Sequence, residues 1–309
     1  MKSSQAVSVS AAAPLSAARP ADVQPPTSRI VAGTAWRIVR RYPLALVGAL
    51  LLLAIVTAAL FADRLFPGDP LDMVSAPLTA PFTDPQHWLG TDSLGRDVAA
   101  GIVHGARASL SIGVLSALLG VTVGTLIGAC AGFFGGRVDA LLSRITEIFQ
   151  TTPSFLFVIV IVTIGQPSLW VISFAIGVTS WPTIARLVRA EFRSLVTSEF
   201  VTAARSLGYG PARIIFSEVL PNALPPIIVT ASVMVASAVL TESALAFLGQ
   251  GDPNRVSWGS MIGDGRQMLR TAWYLTVFPG AALVVTILSL NLLGDGLNEA
   301  FNPRLRERR

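Results

Sequence analysis

Long apolar runs, separated by short polar segments, set the pattern of the chain. A membrane-spanning helix needs about 20 mostly apolar residues, because the hydrocarbon core of a bilayer is about 30 Å thick. By that rule the pattern predicts six spans, at residues 43–62, 108–133, 139–164, 168–187, 223–247 and 276–295. The sequence therefore predicts an all-α integral membrane protein with six transmembrane helices.

The third predicted span is the least regular. Only residues 155–164 form a strongly apolar run, and Arg144, Glu147 and Pro153 precede them. Arg144 and Glu147 lie three residues apart, so in one continuous helix they share a face and can pair inside the bundle. The alternative is a span that starts near Pro153, with the preceding segment at the membrane interface.

The distribution of basic residues predicts the orientation. With six spans, the segments on the side of both termini hold 17 of the 23 Lys and Arg residues, and the opposite segments hold six. The opposite segments also carry eight aspartates. Because cytoplasmic segments are enriched in Lys and Arg, both termini are expected in the cytoplasm.

This layout divides the chain into four regions. Residues 1–35, rich in Ala, Ser and Pro, are predicted to be a disordered cytoplasmic tail. Residues 36–106 are expected to hold the first transmembrane helix and an extracytoplasmic segment. Residues 107–296 are expected to form a domain of five helices with a cytoplasmic loop at 189–222. Residues 297–309 are expected to be a basic cytoplasmic tail.

Composition narrows the function classes. Charged residues make up 13% of the chain, against about 25% in soluble domains. The net charge of +5 reflects arginines on the predicted cytoplasmic side and does not indicate nucleic-acid binding. Lys2 is the only lysine, so the chain has no Walker A loop for ATP. Energy for uphill transport would come from another chain or from an ion gradient.

Ligand-forming side chains are also scarce. Two histidines and one cysteine exclude a zinc site of the usual kind and an intrachain disulfide. We therefore predict no catalytic residue, no metal site and no cofactor for this chain.

The second predicted span carries a regular stripe of glycines. They recur every four residues, at Gly120, Gly124, Gly128 and Gly132. Small residues at this spacing lie on one side of a helix and let another helix backbone approach closely. The stripe predicts a helix-packing surface rather than a ligand site.

A polar segment at residues 199–222 interrupts the apolar runs. Within it, Phe200, Ala203, Ala204 and Leu207 follow helical spacing, which predicts an amphipathic helix with one apolar face.

A second short helix is expected to follow. Gly208 and Gly210 interrupt the first one, and Pro211 suits the first position of a helix because its φ is preset and its missing N–H is not needed there. The second helix is expected to end at Val219, before Pro221. Two interpretations are open: an ordinary loop, or an amphipathic elbow that docks in the groove of a partner protein. Helix connections in bundles usually have about 2–8 residues, so the greater length favours docking.

The same segment resembles the EAA signature of ABC-importer permeases. The signature reads Glu-Ala-Ala, three residues, Gly, nine residues, Ile, one residue and Leu-Pro, and the spacing here is the same. Thr202 stands where the signature has Glu, and Glu218 where it has Ile. The resemblance implies a coupling surface for an ATPase subunit, formed by Phe200, Thr202, Ala203, Ala204, Leu207, Gly208, Pro211, Leu220 and Pro221.

Further segments resemble the C-type permeases of dipeptide, oligopeptide and nickel importers. They are HWLGTDSLGRDVAAGIVHGARASLSIG at 87–113, ESALAFLGQG at 242–251, SWGSMIGDGR at 257–266 and FPGAALVVTILSLNLLGDGLNEAFNPRLR at 278–306. The resemblance extends from about Trp36 to the C terminus, with the motifs in the order of the family.

This resemblance implies a type I ABC-importer permease in the lipid of a bacterial cytoplasmic (inner) membrane. It also implies three kinds of partner: a homologous second permease, two ABC ATPase subunits that bind ATP and Mg²⁺, and a substrate-binding protein. The implied cargo is a di- or oligopeptide, with nickel, glutathione or another small solute as the alternative. Because ATP is hydrolysed by other chains, this chain is expected not to be an enzyme.

The rival class is a secondary transporter driven by an ion gradient. Such a protein needs inverted repeats with interrupted spans and several carboxylates near the membrane midplane. Glu242 is the one clear carboxylate of this kind, and no repeat is visible. Glu242 either lines a transport path or pairs with a neighbouring span.

The extracytoplasmic segment holds a compact set of charged residues. Gly90, Asp92, Gly95, Arg96 and Asp97 are expected to build a fixed, salt-bridged turn where the second span begins. Contact with the binding protein is the alternative. No nucleophile accompanies the Asp and His residues of this segment in a recognisable arrangement, which excludes a hydrolase in practice.

Overall fold

The structure is a computed structural model that describes residues 43–301. The helices over that range are α1 (Pro43–Leu60), α2 (Ala62–Leu65), α3 (Val98–Phe134), α4 (Gly136–Thr151), α5 (Ser154–Gly165), α6 (Leu169–Leu195), α7 (Glu199–Ser206), α8 (Pro211–Phe247), α9 (Trp258–Gly265) and α10 (Tyr274–Phe301). The tail predicted at 1–35 and the last part of the tail predicted at 297–309 lie outside the described residues.

Several of these helices have the length and the apolar composition of membrane-spanning helices. Five are long and apolar enough to cross it, namely α1, α3, α6, α8 and α10. The pair α4 and α5 passes the same test when taken together, so the described residues provide up to six crossings if this bent pair is one span. The predicted all-α membrane fold is confirmed.

The continuous third span that the apolar pattern predicted is wrong. The chain bends by 81° between α4 and α5. Thr152 has ψ of 131°, because a residue before proline avoids the α region. α5 therefore starts at Ser154, directly after Pro153, as the alternative interpretation expected. Arg144 and Glu147 do pair, at 3.3 Å, but both side chains are exposed.

The glycine stripe of α3 lies against α6. Added Cβ atoms would lie 2.5–2.6 Å from atoms of α6: Gly120 from Ser180 Oγ, Gly124 from Trp181 O, Gly128 from Ala185 O and Gly132 from Phe192 Cβ. No real side chain fits at these distances, so the two helices touch backbone to backbone along a stripe that we term the glycine seam. In a membrane such close van der Waals packing holds helices together.

Some helices extend beyond the apolar runs that predicted them. α3 begins at Val98, so the domain boundary predicted between residues 106 and 107 falls inside a helix. α6 continues to Leu195, inside the predicted loop at 189–222. α10 continues to Phe301, past the predicted start of the basic tail. These extensions contain polar residues, so the length of the apolar runs does not predict them.

The second short helix of the predicted elbow is not a separate element. α8 starts at Pro211 and runs past Pro221 without a stop. A π-helical turn at Ile214–Val219 ends two residues before this proline, and such a wider turn shifts the hydrogen-bond register so that a helix can continue. The side-chain amide of Asn222 donates to the carbonyl of Glu218 at 2.6 Å in this turn.

The segment between α2 and α3 folds against the start of α10. The Thr91 hydroxyl donates to the carbonyl of Ala76 at 2.6 Å and accepts from the N–H of Thr79 at 2.9 Å. The Tyr274 hydroxyl lies 3.1 Å and 2.9 Å from the carbonyl oxygens of Thr79 and Thr91. Gly90 has φ of +83°, and a Cβ there would collide with the Thr79 carbonyl. These contacts fix the charged turn that precedes α3.

Candidate functional site

The elbow, residues 199–221, follows α6 and consists of α7, the turn at 207–210 and the first residues of α8. α7 ends in a tight turn, in which the N–H of Gly208 donates to Arg205 O at 2.9 Å and the N–H of Tyr209 donates to Ala204 O at 3.1 Å. Gly208 has φ of +78°. This helix ending needs a left-handed residue, and glycine adopts that conformation without a steric penalty.

α7 has an inner and an outer face. On the inner face, Val201 and Ala204 are 0% and 5% exposed and belong to the core cluster that α6 and α8 also form. On the outer face, Phe200 is 39% and Leu207 is 73% exposed, and Ala203 is exposed too. The expectation that Ala204 shares the docking face is wrong, because its methyl group packs inward.

The other predicted coupling residues are mostly exposed. Thr202, Pro211 and Pro221 are exposed, and Leu220 is half-buried. Phe216 in the π-helical turn is 58% exposed and was not among the predicted residues. Its apolar side chain within a polar segment was the available signal.

Charged side chains tie the elbow region to the rest of the bundle. Arg189 on α6 donates to both carboxylate oxygens of Asp139 on α4, with an Nη2–Oδ2 distance of 2.8 Å. Arg193 lies 3.5 Å from the same carboxylate. Two parallel bonds are the strong geometry of an Arg–carboxylate pair. Within the elbow, the Arg205 guanidinium lies 5.9 Å from the centre of the Phe133 ring at the end of α3.

On the opposite side, the charged turn is held by backbone contacts. Asp92 Oδ1 accepts from the N–H groups of Leu94 and Arg96, both at 2.8 Å, and Asp97 accepts from Ala99 at 2.8 Å as the N-cap of α3. Among the residues that the structure describes, Arg96 forms no ion pair, and its Nε is buried without an acceptor. The predicted salt bridges are wrong, since hydrogen bonds to the backbone fix this turn.

The turn borders a cavity of about 270 Å³ shared with α9. Its wall includes the charged side chains of Asp92, Arg96, Asp252, Arg255 and Asp264. Burial raises the pKa of the Asp264 carboxyl, while the charge of Arg96 acts in the opposite direction. A surface with both signs of charge can contact another polar molecule.

Glu242 lies inside the bundle. Its side chain is 1% exposed and accepts from the Ser109 hydroxyl at 3.0 Å and from the Ser243 hydroxyl at 3.4 Å. Because Ser109 is on α3, the contact joins two spans. Of the two interpretations of Glu242, the contact agrees with pairing to a neighbouring span. Glu242 lines neither the charged cavity nor the second cavity, which is described next.

A second cavity, of about 490 Å³, lies beside the break between α4 and α5 and was not predicted from the sequence. We term it the bend cavity, and α4, α5, α6 and α8 supply most of its wall. Its polar lining residues are Gln150, Thr152, Ser154, Thr179, Ser180, Thr183, Thr230, Ser237 and Thr241. The spacing of Thr230, Ser237 and Thr241 follows one side of a helix, which was the available signal.

Membrane-spanning helices, a two-faced elbow outside them and a polar cavity between them define a membrane permease. The family model of the binding-protein-dependent transport system inner membrane component matches residues 124–307. The chain belongs to this family, and it is a multi-pass inner-membrane component of a transport system.

Individual relatives cover nearly the whole chain. It is 36% identical to the dipeptide transport system permease protein DppC of Alkalihalophilus pseudofirmus, over 91% of this chain and 94% of that protein. It is 38% identical to the di/tripeptide transport system permease protein DppC of Pseudomonas aeruginosa, over 85% of this chain and 88% of that protein.

Solved structures share the fold. A chain of the inward-facing MetNI methionine ABC transporter matches with a TM-score of 0.52 and 20% identity, over 65% of this chain and 96% of that chain. The helical arrangement is therefore that of an ABC-importer permease.

Proposed function

We propose that the chain is one of two homologous permease subunits in an ATP-driven importer of di- and oligopeptides. A substrate-binding protein delivers the peptide from outside, and two separate ATPase subunits bind ATP and Mg²⁺ at the cytoplasmic face. The names of the relatives, a dipeptide and a di/tripeptide permease, support this cargo. The absence of a Walker A lysine anywhere in the sequence supports separate ATPases.

The two-faced α7 carries the proposal. Its inner face is anchored in the core, while Phe200 and Leu207 remain exposed on the outer face. A short amphipathic helix with an exposed apolar face fits the helix-in-groove mode of recognition. The contact is formed by Phe200, Thr202, Ala203, Leu207 and Pro211, whereas Ala204, Gly208, Leu220 and Pro221 shape and support it.

The continuity of the helices indicates which parts of the bundle a displacement of α7 would move. The elbow passes into α8 at Pro211, and α8 continues as one helix to Phe247. A displacement of α7 by the ATPase therefore acts on α8 directly. On the other side of the elbow, the Arg189–Asp139 pair links the end of α6 to α4. The proposed ATPase movement thus reaches both sides of the bend cavity as a rigid-body change.

Orientation is part of the proposal. The elbow and both termini lie in the cytoplasm, because the segments on that side carry most of the Lys and Arg residues. The charged turn and its cavity then face outward, where the binding protein docks.

Co-purification of the ATPase subunits tests the proposal. Leu207→Asp places a charge on the outer face of α7 and is expected to reduce recovery of the ATPase subunits at least about tenfold, because burying an unpaired charge in a groove is costly. Leu248→Asp is the matched control, since Leu248 is 52% exposed at the other end of α8.

The control is expected to keep the ATPase subunits bound and the permease inserted. Full recovery of the ATPase subunits with Leu207→Asp would contradict the proposed docking face. Peptide uptake by reconstituted permease without any ATPase subunit would contradict the ATP-driven importer.

A further inference from the structure

The charged cavity of about 270 Å³ has α9 as one of its walls. Ser260, Met261 and Asp264 on α9 belong to its lining. On its other sides α9 packs against α3, α8 and α10. The indole N–H of Trp258, at the start of α9, donates to the carbonyl of Ile102 on α3 at 3.0 Å. A partner that enters the cavity therefore contacts a helix that is itself fixed to the bundle.

The contact between α9 and α8 leaves little room for side chains. Gly259 and Gly263 recur four residues apart, on one side of α9. A Cβ on Gly259 would lie 2.5 Å from Ser243 Cα, and a Cβ on Gly263 would lie 3.1 Å from Phe247 Cα. The backbone of α9 therefore rests on the last turns of α8, and such close packing holds membrane helices together.

Arg266, the residue directly after α9, adds a polar bond to this contact. Its Nη1 donates to the carbonyl of Phe247 at 3.0 Å, and the guanidinium lies 4.9 Å from the centre of the Phe247 ring. Phe247 is the last residue of α8, and the carbonyls of a final helical turn have no partner within the helix. A cation also interacts favourably with the negative end of a helix. Arg266 thus caps α8 and ties it to α9.

Glu242 fixes the same end of α8 to α3. Its side chain accepts from the Ser109 hydroxyl on α3 at 3.0 Å and is 1% exposed. This end of α8 is thus held on two sides, by α9 and by α3. Close-packed elements shift between discrete arrangements and do not deform continuously. A displacement of α8 therefore requires a displacement of α9, which changes the wall of the charged cavity.

α8 connects this end with the elbow. It is one span of 37 residues, Pro211–Phe247, which corresponds to about 55 Å at about 1.5 Å per residue. One end of this helix therefore lies within the elbow, and the other end lies against α9. A ligand that binds one shape of the cavity more tightly shifts α8, and by linkage it shifts the state of the elbow too.

We infer that Arg266 is a positioning residue that couples the charged cavity to the elbow through α9 and α8. A protein that docks in the cavity from outside thereby changes the rate of ATP hydrolysis at the cytoplasmic face. Without Arg266, α8 moves with less effect on α9, and the two faces are uncoupled although each keeps its own contacts. The presence of a binding protein and of ATPase subunits rests on the proposed function, whereas the link between α9 and α8 does not.

Stimulation of ATP hydrolysis in the complete, lipid-reconstituted transporter tests this inference. Two rates are measured for Arg266→Gln, one with saturating peptide-loaded binding protein and one without binding protein. Their ratio is expected to fall at least about threefold, within the range by which single substitutions alter coupling between sites. The basal rate and the melting temperature are expected to stay nearly unchanged, because Arg266 is exposed and exposed polar contacts contribute little to stability.

Arg270→Gln is the matched control. Arg270 is also exposed and carries the same charge on the same outer segment, and within the part of the chain that the structure describes its side chain forms no hydrogen bond or ion pair. This variant is expected to keep the ratio of the unaltered transporter. An equal fall with both variants would show that the lost positive charge acts on the docked protein directly, and it would overturn the inference.

The concentration of binding protein at half-maximal stimulation separates coupling from docking. Weaker coupling lowers the maximal rate, so a normal maximum with Arg266→Gln, at any concentration, would overturn the inference. A parallel fall of the basal and the stimulated rates would identify Arg266 as a structural residue and would overturn it as well. An unaltered transporter that the binding protein does not stimulate would instead contradict the proposed importer, so the two failures are distinguishable.

Phe247→Leu separates the two contacts of Arg266. The substitution removes the ring but keeps the carbonyl that accepts from Nη1. The ratio is expected to fall less than with Arg266→Gln, because a cation–π contact at an exposed site is weak. A larger fall with Phe247→Leu would overturn the role assigned to the bond between Arg266 and the end of α8.

Discussion

The glycines of the seam and the glycines of the elbow stand in opposite surroundings. In the seam, a Cβ on Gly124 or Gly128 would lie 2.6 Å or 2.5 Å from the backbone of α6. In the elbow, a Cβ on Gly208 or Gly210 would have no atom within 4 Å. Seam glycines are required for the space they leave, whereas Gly208 is required for its backbone conformation, with φ of +78°.

This contrast shows that the seam is a rigid packing contact, whereas the elbow is an exposed turn that orients α7. α3 and α6 are locked together by contacts that leave no room for a side chain, so they move as one body. In the elbow turn, a side chain on Gly208 or Gly210 would meet open space, so these glycines determine only the direction in which the chain leaves α7. Substitutions in the seam should therefore damage the whole fold, and those in the elbow should change the presentation of α7.

Gly128→Leu is the most damaging substitution that we expect. The new side chain has to displace Ala185 and Val188 on α6, so the free energy of unfolding should fall by more than about 3 kcal/mol. Thermal unfolding of the detergent-purified permease measures the loss. Gly280→Leu on α10 is the matched control, because a Cβ at Gly280 meets no atom within 4 Å. Similar losses at both positions would contradict a close-packed seam.

Much of the bundle could be predicted because lipid imposes a simple length rule on apolar runs. Helix ends outside the membrane could not, since an amphipathic extension such as the start of α3 lacks a long apolar run. Asp97 was a visible N-cap signal for that helix. Pro153 likewise marked a break in the third span, but the angle of 81° depends on what α4 and α5 pack against.

Helix α7 shows a different limit of sequence analysis. Helical spacing placed Phe200, Ala203, Ala204 and Leu207 on one broad face, yet Ala204 also fits a narrower face with Val201. The neighbouring core decides between the two, and in the fold it buries Val201 and Ala204 together. A pattern of apolar residues predicts that a face exists, while the direction of that face depends on tertiary contacts.

The two alanines of the signature should respond differently to the same change. Ala204→Leu overfills the core beneath α7 and should lower the free energy of unfolding by about 1–3 kcal/mol. Ala203→Leu projects outward and should leave thermal unfolding of the isolated permease unchanged. Comparison of the two melting temperatures measures the inner and outer faces directly. A larger loss with Ala203→Leu would mean that the faces are assigned the wrong way round.

Asp139→Asn tests the ion pair beside the seam, since Arg189 lies against Gly128 and Gly132. Loss of the carboxylate removes the paired bonds from Arg189, and the partial exposure of the arginine limits the effect to about 1–2 kcal/mol. A double-mutant cycle with Arg189→Gln, read by thermal unfolding, isolates the pair. Additive losses would show that the two residues do not stabilise each other. Arg144→Gln is the control, because the Arg144–Glu147 pair is exposed on both sides.

Gly208→Ala should have the smallest effect of these changes. It tests whether Gly208 is required for its left-handed backbone conformation. Alanine in the left-handed region costs about 1 kcal/mol, and no neighbouring atom adds to that cost. Gly210→Ala is the matched control, because Gly210 has φ of −70°, which alanine adopts freely. The expected result is a slightly lower melting temperature and weaker ATPase co-purification for Gly208→Ala alone. If both variants behave like the unaltered chain, the turn tolerates another conformation, and the presentation of α7 depends on its buried inner face instead.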